Sequence, residues 1–175
     1  KSQITRISKI IRDLVDFSRP SNYELELTDI NKVIHEAVEI TKVGTKAKDI
    51  TFETNLSDSI PMLPLIADQI QQVFLNILLN AVDAISEKKE KKNEKITVTS
   101  QADSDWLTIT FVDTGPGIKE ENINKIFEPF FTTKKEGKGT GLGLWVSYGI
   151  VKSFQGDIKV KSKINEGTTF VIKLP

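Results

Sequence analysis

The sequence predicts an α+β sandwich in which three helices stack on one face of a mixed, mainly antiparallel sheet. Three observations carry this. Residues 68–85 place Val73, Phe74, Ile77, Leu78, Ala81 and Ile85 at three- and four-residue steps, the spacing of a helix with one apolar face. Residues 95–101 and 107–112 instead alternate with the two-residue period of half-buried strands and read as an antiparallel pair. A further helical stretch, 142–154, stops at Gln155-Gly156 and is followed by two strand-like runs, 158–162 and 168–174.

The remaining elements follow in chain order. Ile4, Ile7, Ile11 and Leu14 alternate three- and four-residue steps, which is a coiled-coil seam, and Ile10, Val15 and Phe17 widen it. A helix this short cannot bury such a stripe on itself and needs a partner. Pro20 and Asn22 break the chain after it. Residues 23–27 suit a short strand, and Asp29 an N-cap for a helix running to about Val43. Residues 50–55 alternate as a strand, and Pro61 and Pro64 bracket another extended piece. Asp68 is expected to cap the long helix, and 88–95 is a charged loop. The division that results is 1–19 as an appended helix, 20–28 as linker and first strand, and 29–175 as one domain.

Composition narrows the function. The 175 residues carry 24 basic and 24 acidic side chains, so no net field favours nucleic acid or an anionic membrane. There are no cysteines, which excludes disulfides and thiolate metal sites and suits the cytoplasm. No apolar run approaches the roughly 18 residues of a membrane helix. The chain opens at Lys1-Ser2 without Met and is expected to be part of something longer.

Three blocks carry chemistry. From Gly137 to Gly143 there are four glycines in seven positions, directly before the 142–154 helix. Exposed N–H groups ahead of a helix N-terminus suit a phosphate, although glycine-rich turns are also common structural features. Asn76 and Asn80, four apart, share one helix face among apolar neighbours, so each needs a hydrogen-bond partner or a metal, and Asp83 extends that strip. Asp113 ends an apolar strand and precedes Thr114-Gly115-Pro116-Gly117, where a carboxylate can accept from the amino group of a planar ligand or simply start a turn. Phe127, Phe130 and Phe131 fall in an irregular stretch and are expected in part to anchor a loop. Lys134, Lys135 and Lys138, near the glycines, could neutralise phosphate.

In this order, Asn76–Asn80, Asp113–Gly117, Phe127–Phe131 and Gly137–Gly143 resemble the N, first G, F and second G boxes of the ATP-binding domain of sensor histidine kinases. That domain belongs to a superfamily shared with gyrase and mismatch-repair ATPases. The resemblance covers 29–175, with 166–175 similar to the domain's last strand and 2–19 to the end of the second dimerisation helix. It implies a Bergerat-type fold, binding of ATP with Mg²⁺, and transfer of the γ-phosphoryl group to a histidine of a dimerisation domain, for relay to a response regulator by a homodimeric parent, cytoplasmic and either free or anchored at a membrane. By the same resemblance Asn80 coordinates Mg²⁺ and Asn76 lies near the phosphates. Asp113 binds the adenine amine with Thr168, through water, beside it. Gly115 and Gly117 hinge a lid, and Gly139, Gly141 and Gly143 present N–H groups to phosphate. Ile118, Thr133, Thr140 and Leu142 complete the nucleotide site.

Two positions depart from the commonest kinase pattern: Asp83 stands where many members have Lys, and Ala84 where many have an aromatic ring. The cation then comes from Lys134 or Lys138, and the form with Phe131-Thr132-Thr133-Lys134 is similar to nitrogen-regulation sensor kinases. His35-Glu36 lacks the proline that follows the phosphoacceptor pair and lies inside the ATP-binding region, so the acceptor histidine is expected upstream of Lys1. The rival reading is a gyrase-type ATPase or clamp. Those enzymes resemble this chain but carry a Glu base one turn before the metal Asn, where this chain has Asn76.

Overall fold

The computed structural model describes residues 24–88, 93–134 and 139–175. The expected helix and seam of residues 1–19, the Pro20 boundary and Lys138 lie outside these residues.

Five strands form one sheet: β2 (Thr51–Leu56), β4 (Lys95–Ala102), β5 (Leu107–Asp113), β6 (Asp157–Lys163) and β7 (Gly167–Leu174), in the spatial order β2-β4-β5-β7-β6. Only β2 and β4 pair parallel, as expected of a mixed, mainly antiparallel sheet. β1 (Glu26–Thr28) pairs antiparallel with β3 (Leu63–Leu65) in a separate ribbon. The strand expected at 23–27 therefore begins later, because its position is set by three partners on β3, one of which is Pro64 opposite Leu27. Proline is tolerated there because a two-stranded ribbon leaves each strand one unpaired edge.

Three long helices cover the sheet: α1 (Ile30–Lys42), α2 (Ala67–Ser86) and, after a short α3 (Glu120–Ile123), α4 (Gly143–Ser153). The Asp29 carboxylate caps α1 by accepting from the Lys32 N–H at 3.2 Å. Asp68 does not cap α2. The helix starts one residue before it, Ile66 is the N-cap with no side-chain bond, and Asp68 sits in the first turn, where a negative charge still favours the helix dipole. α2 buries Ile70, Val73, Phe74, Ile77, Leu78, Ala81, Val82 and Ile85 against the sheet, where Phe74 meets the Phe111 ring at 5.5 Å between centroids. Fully burying such side chains is worth roughly 1.5–3 kcal/mol each, so α2 and its apolar partners account for most of the driving force at the centre.

That packing decides where polar groups can appear. On β5 every second residue, Leu107, Ile109, Phe111 and Asp113, is buried beneath the helices. On β7 the matching row is Thr168, Phe170, Ile172 and Leu174, with Thr168 directly opposite Asp113. On β6 it is Ile158, Val160 and Ser162, with Ser162 opposite Thr168. Three apolar rows thus end in polar residues at the same end of the sheet.

Candidate functional site

At that end a cleft of about 540 Å³ opens between α2, the strand ends, the 116–134 connection and the start of α4. Asp113, Asn76, Asn80, Asp83, Lys134, Thr168 and the Gly139–Gly143 turn all border it, as do Gly117, Ile118, Thr133, Thr140 and Leu142. Gly115 lies beside Asp113. The structure therefore gathers the α2 strip, the Asp113 turn, Lys134 and the glycine turn around one concavity, while Phe127 and Phe130 do not border it and Lys135 and Lys138 lie outside the described residues.

Asp113 is 7 % exposed. Burial pushes its carboxyl up to about 6, although the N–H groups of Gly115 and Thr168 and the Lys88 ammonium pull it down. The Gly115 N–H donates to Asp113 Oδ1 at 2.7 Å. A Cβ on residue 115 would stand 2.6 Å from that oxygen, so only glycine lets the chain close on the carboxylate. Behind it, Thr114 is locked in place. Its hydroxyl donates to the buried Glu94 carboxylate at 2.6 Å and accepts from the Lys95 N–H, and its carbonyl accepts from Lys88 at 2.9 Å. The Thr168 hydroxyl lies 2.9 Å from that of Ser162, which itself donates to the Gly167 carbonyl and accepts from the Ile118 N–H, both at 2.8 Å. With the Ser162 proton directed to Gly167, Thr168 donates to Ser162 and keeps lone pairs for the cleft.

The opposite wall is the polar strip of α2. Asn76 donates from Nδ2 to the Gly143 carbonyl at 3.1 Å and to Ser147 Oγ at 3.2 Å, and Ser147 donates to the same carbonyl. The sequence left open a hydrogen-bond partner or a metal for this residue, and here the amide clasps the first turn of α4. The N-cap residue Leu142 makes no side-chain capping bond, and Leu142, Gly143 and Leu144 border the cleft. Asn80 differs. Its Oδ1 accepts from the Lys134 ammonium at 3.1 Å, an oxygen already turned toward a positive charge. Lys134 also meets Asp83 Oδ2 at 2.7 Å, and Lys46, from the 3₁₀ turn Thr45–Ala47, meets Asp83 Oδ1 at 2.6 Å. Burial raises the Asp83 carboxyl, but the two lysines outweigh it and hold the group below its ordinary range.

The connection from 118 to 134 carries more regular structure than its sequence pattern suggests. It holds α3 and a run of turns, pinned by buried Ile126 and by Phe127, which packs 5.5 Å from the Tyr148 ring and 6.4 Å from that of Phe170. Phe131 is partly buried against the core. Phe130 is more than half exposed with φ of 66°, and its N–H donates to the Gly141 carbonyl at 2.9 Å. Gly141 itself has φ of 71°, and a Cβ there would fall 2.3 Å from the Phe130 carbonyl carbon.

Lys46, Ser147 and Ser162 were not found from sequence. Ser162 had a signal, as the polar end of an alternating inward row like Asp113. Lys46 had none, lying in a short turn 37 residues before its partner. His35 is exposed on α1 and takes no part in the cleft. Among the described residues no cluster of three or more His, Asp or Glu could hold a metal, and no helix is long and apolar enough to cross a membrane.

Residues 66–175 match the family described as histidine kinase-, DNA gyrase B- and HSP90-like ATPases. Over 170 residues the chain is 32% identical to the sensor histidine kinase ZraS of Escherichia coli K12, covering 97% of this chain and 35% of that protein. Over 173 residues it is 35% identical to the signal transduction histidine-protein kinase AtoS of the same strain, covering 99% and 28%. It superposes on the nucleotide-free catalytic domain of the histidine kinase ThkA with a TM-score of 0.74 at 29% identity, covering 87% of this chain and 95% of that one. The chain thus spans about a third of the length of these curated relatives, or less.

Proposed function

Because the chain belongs to the histidine kinase-, DNA gyrase B- and HSP90-like ATPase family, we propose that it is the ATP-binding catalytic domain of a two-component sensor histidine kinase. It would bind MgATP and present the γ-phosphoryl group to a histidine of the parent's dimerisation domain, for relay to a response-regulator receiver domain. The carrying observation is the polarity of the cleft. A buried carboxylate with a clear acceptor role sits at the strand end, and an ammonium already rests on the Asn80 amide oxygen on the facing wall.

Asp113 would accept from the adenine amino group, with the Thr168 hydroxyl holding a bridging water. The α4 N-terminus and the N–H groups of Gly139, Gly141 and Gly143 would face phosphate oxygens, which the helix dipole favours. Mg²⁺ fits Asn80. An amide oxygen suits a hard cation, Lys134 stands in for that positive charge here, and a metal at this amide would take its other ligands from phosphates and water. ATP supplies the phosphoryl group, and the chain positions it and offsets its charge, which is most of what this chemistry asks of a protein. The homodimer would form through the helix expected at 1–19.

One observation favours this over a water-activating ATPase. The residue one turn before Asn80 is Asn76, whose amide is committed to α4 and cannot take a proton. Titration calorimetry with MgATP tests the assignment. An Asp113→Ala variant should bind at least about tenfold more weakly, the worth of a lost hydrogen bond to a charged group, and binding within twofold of wild type would remove the adenine assignment. Adding the parent's dimerisation domain should then give phosphohistidine, and ATP hydrolysis with no protein-bound phosphate would favour the ATPase reading.

A further inference from the structure

Resting on the MgATP reading of this cleft, we propose that Asp83 and Lys46 are positioning residues for Lys134. Asp83 parks the Lys134 ammonium on the Asn80 oxygen until nucleotide arrives, and Lys46 remains on Asp83 as its counter-ion once Lys134 leaves.

The geometry is a chain of four residues from three parts of the fold. Each Asp83 oxygen takes a different lysine, Oδ1 from Lys46 at 2.6 Å and Oδ2 from Lys134 at 2.7 Å. Lys134 bridges onward to Asn80 Oδ1 at 3.1 Å. The Lys134 stem also lies along the glycine run, its Cδ 3.3 Å from where a Cβ of residue 139 would be. An ammonium on Asn80 and a metal ion on the same oxygen repel, so the two exclude each other. Metal arrival must therefore displace Lys134, and the nearest new partner for a displaced ammonium is the phosphate the metal carries.

Charge explains the second lysine. Asp83 with both lysines carries one net positive charge, and after Lys134 departs the Asp83–Lys46 pair is neutral. Without Lys46, the departing ammonium would leave a part-buried carboxylate one turn from the metal ligand, repelling the triphosphate. Lys134 would then stay parked. Lys46 thus acts on nucleotide binding without touching nucleotide.

The test uses the 175-residue chain and the variants Asp83→Ala, Asp83→Asn, Lys46→Gln and the double variant Asp83→Ala/Lys46→Gln, with melting curves to check folding. Hydrogen exchange reads residues 126–134 without nucleotide, and calorimetry reads MgATP and MgADP affinity. Asp83→Ala should speed nucleotide-free exchange of this segment and tighten MgATP by about threefold, the scale of one part-exposed ion pair. Asp83→Asn should shift both in the same direction. Lys46→Gln should weaken MgATP by about threefold, with a smaller effect on MgADP. The double variant should bind like Asp83→Ala, since with no carboxylate there is nothing for Lys46 to neutralise. Unchanged nucleotide-free exchange in Asp83→Ala would overturn the parking contact. Weaker MgATP binding in Asp83→Ala would make Asp83 a direct contributor to the site instead. A Lys46→Gln loss that persists in the double variant would mean Lys46 meets phosphate itself. A wild-type chain that binds no MgATP overturns the nucleotide reading, and the exchange arm still judges the contact.

Discussion

Asp113 is the residue where function and stability oppose each other most directly. Its folded-state carboxyl titrates near 6, above an ordinary value of 3.8, because burial disfavours the charge more than its hydrogen bonds favour it. The native state therefore holds a proton more tightly than the unfolded chain. This group leaves stability unaffected well below pH 4, costs progressively more as pH rises from about 4 to 6, and carries a penalty of roughly 2–4 kcal/mol above that. Asp113→Asn abolishes the charge while its Oδ1 can still accept from Gly115. The variant should melt above wild type at pH 7.5, and the gap should shrink towards zero at pH 4. Its amide offers a donor where, on the proposed reading, the adenine amine would also donate, so MgATP binding should fall as stability rises. Melting curves across that pH range decide the matter, and an Asn variant no more stable than wild type at pH 7.5 would contradict the burial argument.

At the scale of elements, periodicity located α1, α2, α4 and the strands of the main sheet to within one or two residues, because each has an apolar face whose repeat the sequence carries. What it could not carry was pairing. The β1–β3 ribbon joins residues 35 to 39 positions apart, and nothing in Leu63-Pro64-Leu65 names Glu26–Thr28 as its partner. The candidate site was legible where a polar residue interrupts an apolar pattern, as at Asp113, Asn76 and Asn80. It was not legible for Lys46 or Ser147, whose roles exist only through distant partners. Asp68 misled because a good capping residue stood two positions after the actual N-cap, Ile66. The glycine turn gives an element-scale prediction. Gly141→Ala would need a left-handed conformation, costing roughly 1–2 kcal/mol, and a clash with the Phe130 backbone. Leu142, the next residue in the turn, is buried, so the strain falls on the fold as well as on the cleft. MgATP affinity should drop more than about tenfold, the scale of that strain, and the melting temperature should fall by roughly 2–8 °C. Unchanged affinity and melting temperature together would mean that the turn relaxes without cost.

For the whole molecule, the arrangement is a rigid sandwich carrying a weakly attached wall. β5 sits at the centre of the sheet, flanked by β4 and β7 and covered by α2, and it delivers Asp113 to the cleft from the most deeply held part of the fold. The 118–134 wall is fastened by buried Ile126, the Phe127 and Phe131 rings, the bonds from the Ile118 and Phe130 N–H groups to Ser162 and Gly141, and the contacts of Lys134 with Asp83 and Asn80. Two tiers of hydrogen exchange follow. Amides of Ile109, Phe111 and Ile172 should exchange only through global unfolding, whereas those of 126–134 should open locally at far lower free energy. On the proposed reading nucleotide would bridge both walls, so MgATP should slow exchange in 126–134 far more than in β5. A ligand at a hundred times its dissociation constant adds about 2.7 kcal/mol to global stability. For a domain of this size that corresponds to a melting shift of roughly 5–10 °C. If 126–134 shows equal protection with and without MgATP, while the melting temperature still rises, nucleotide is bound without closing this wall. The lysine exchange at Asn80 would then have to occur within an open cleft.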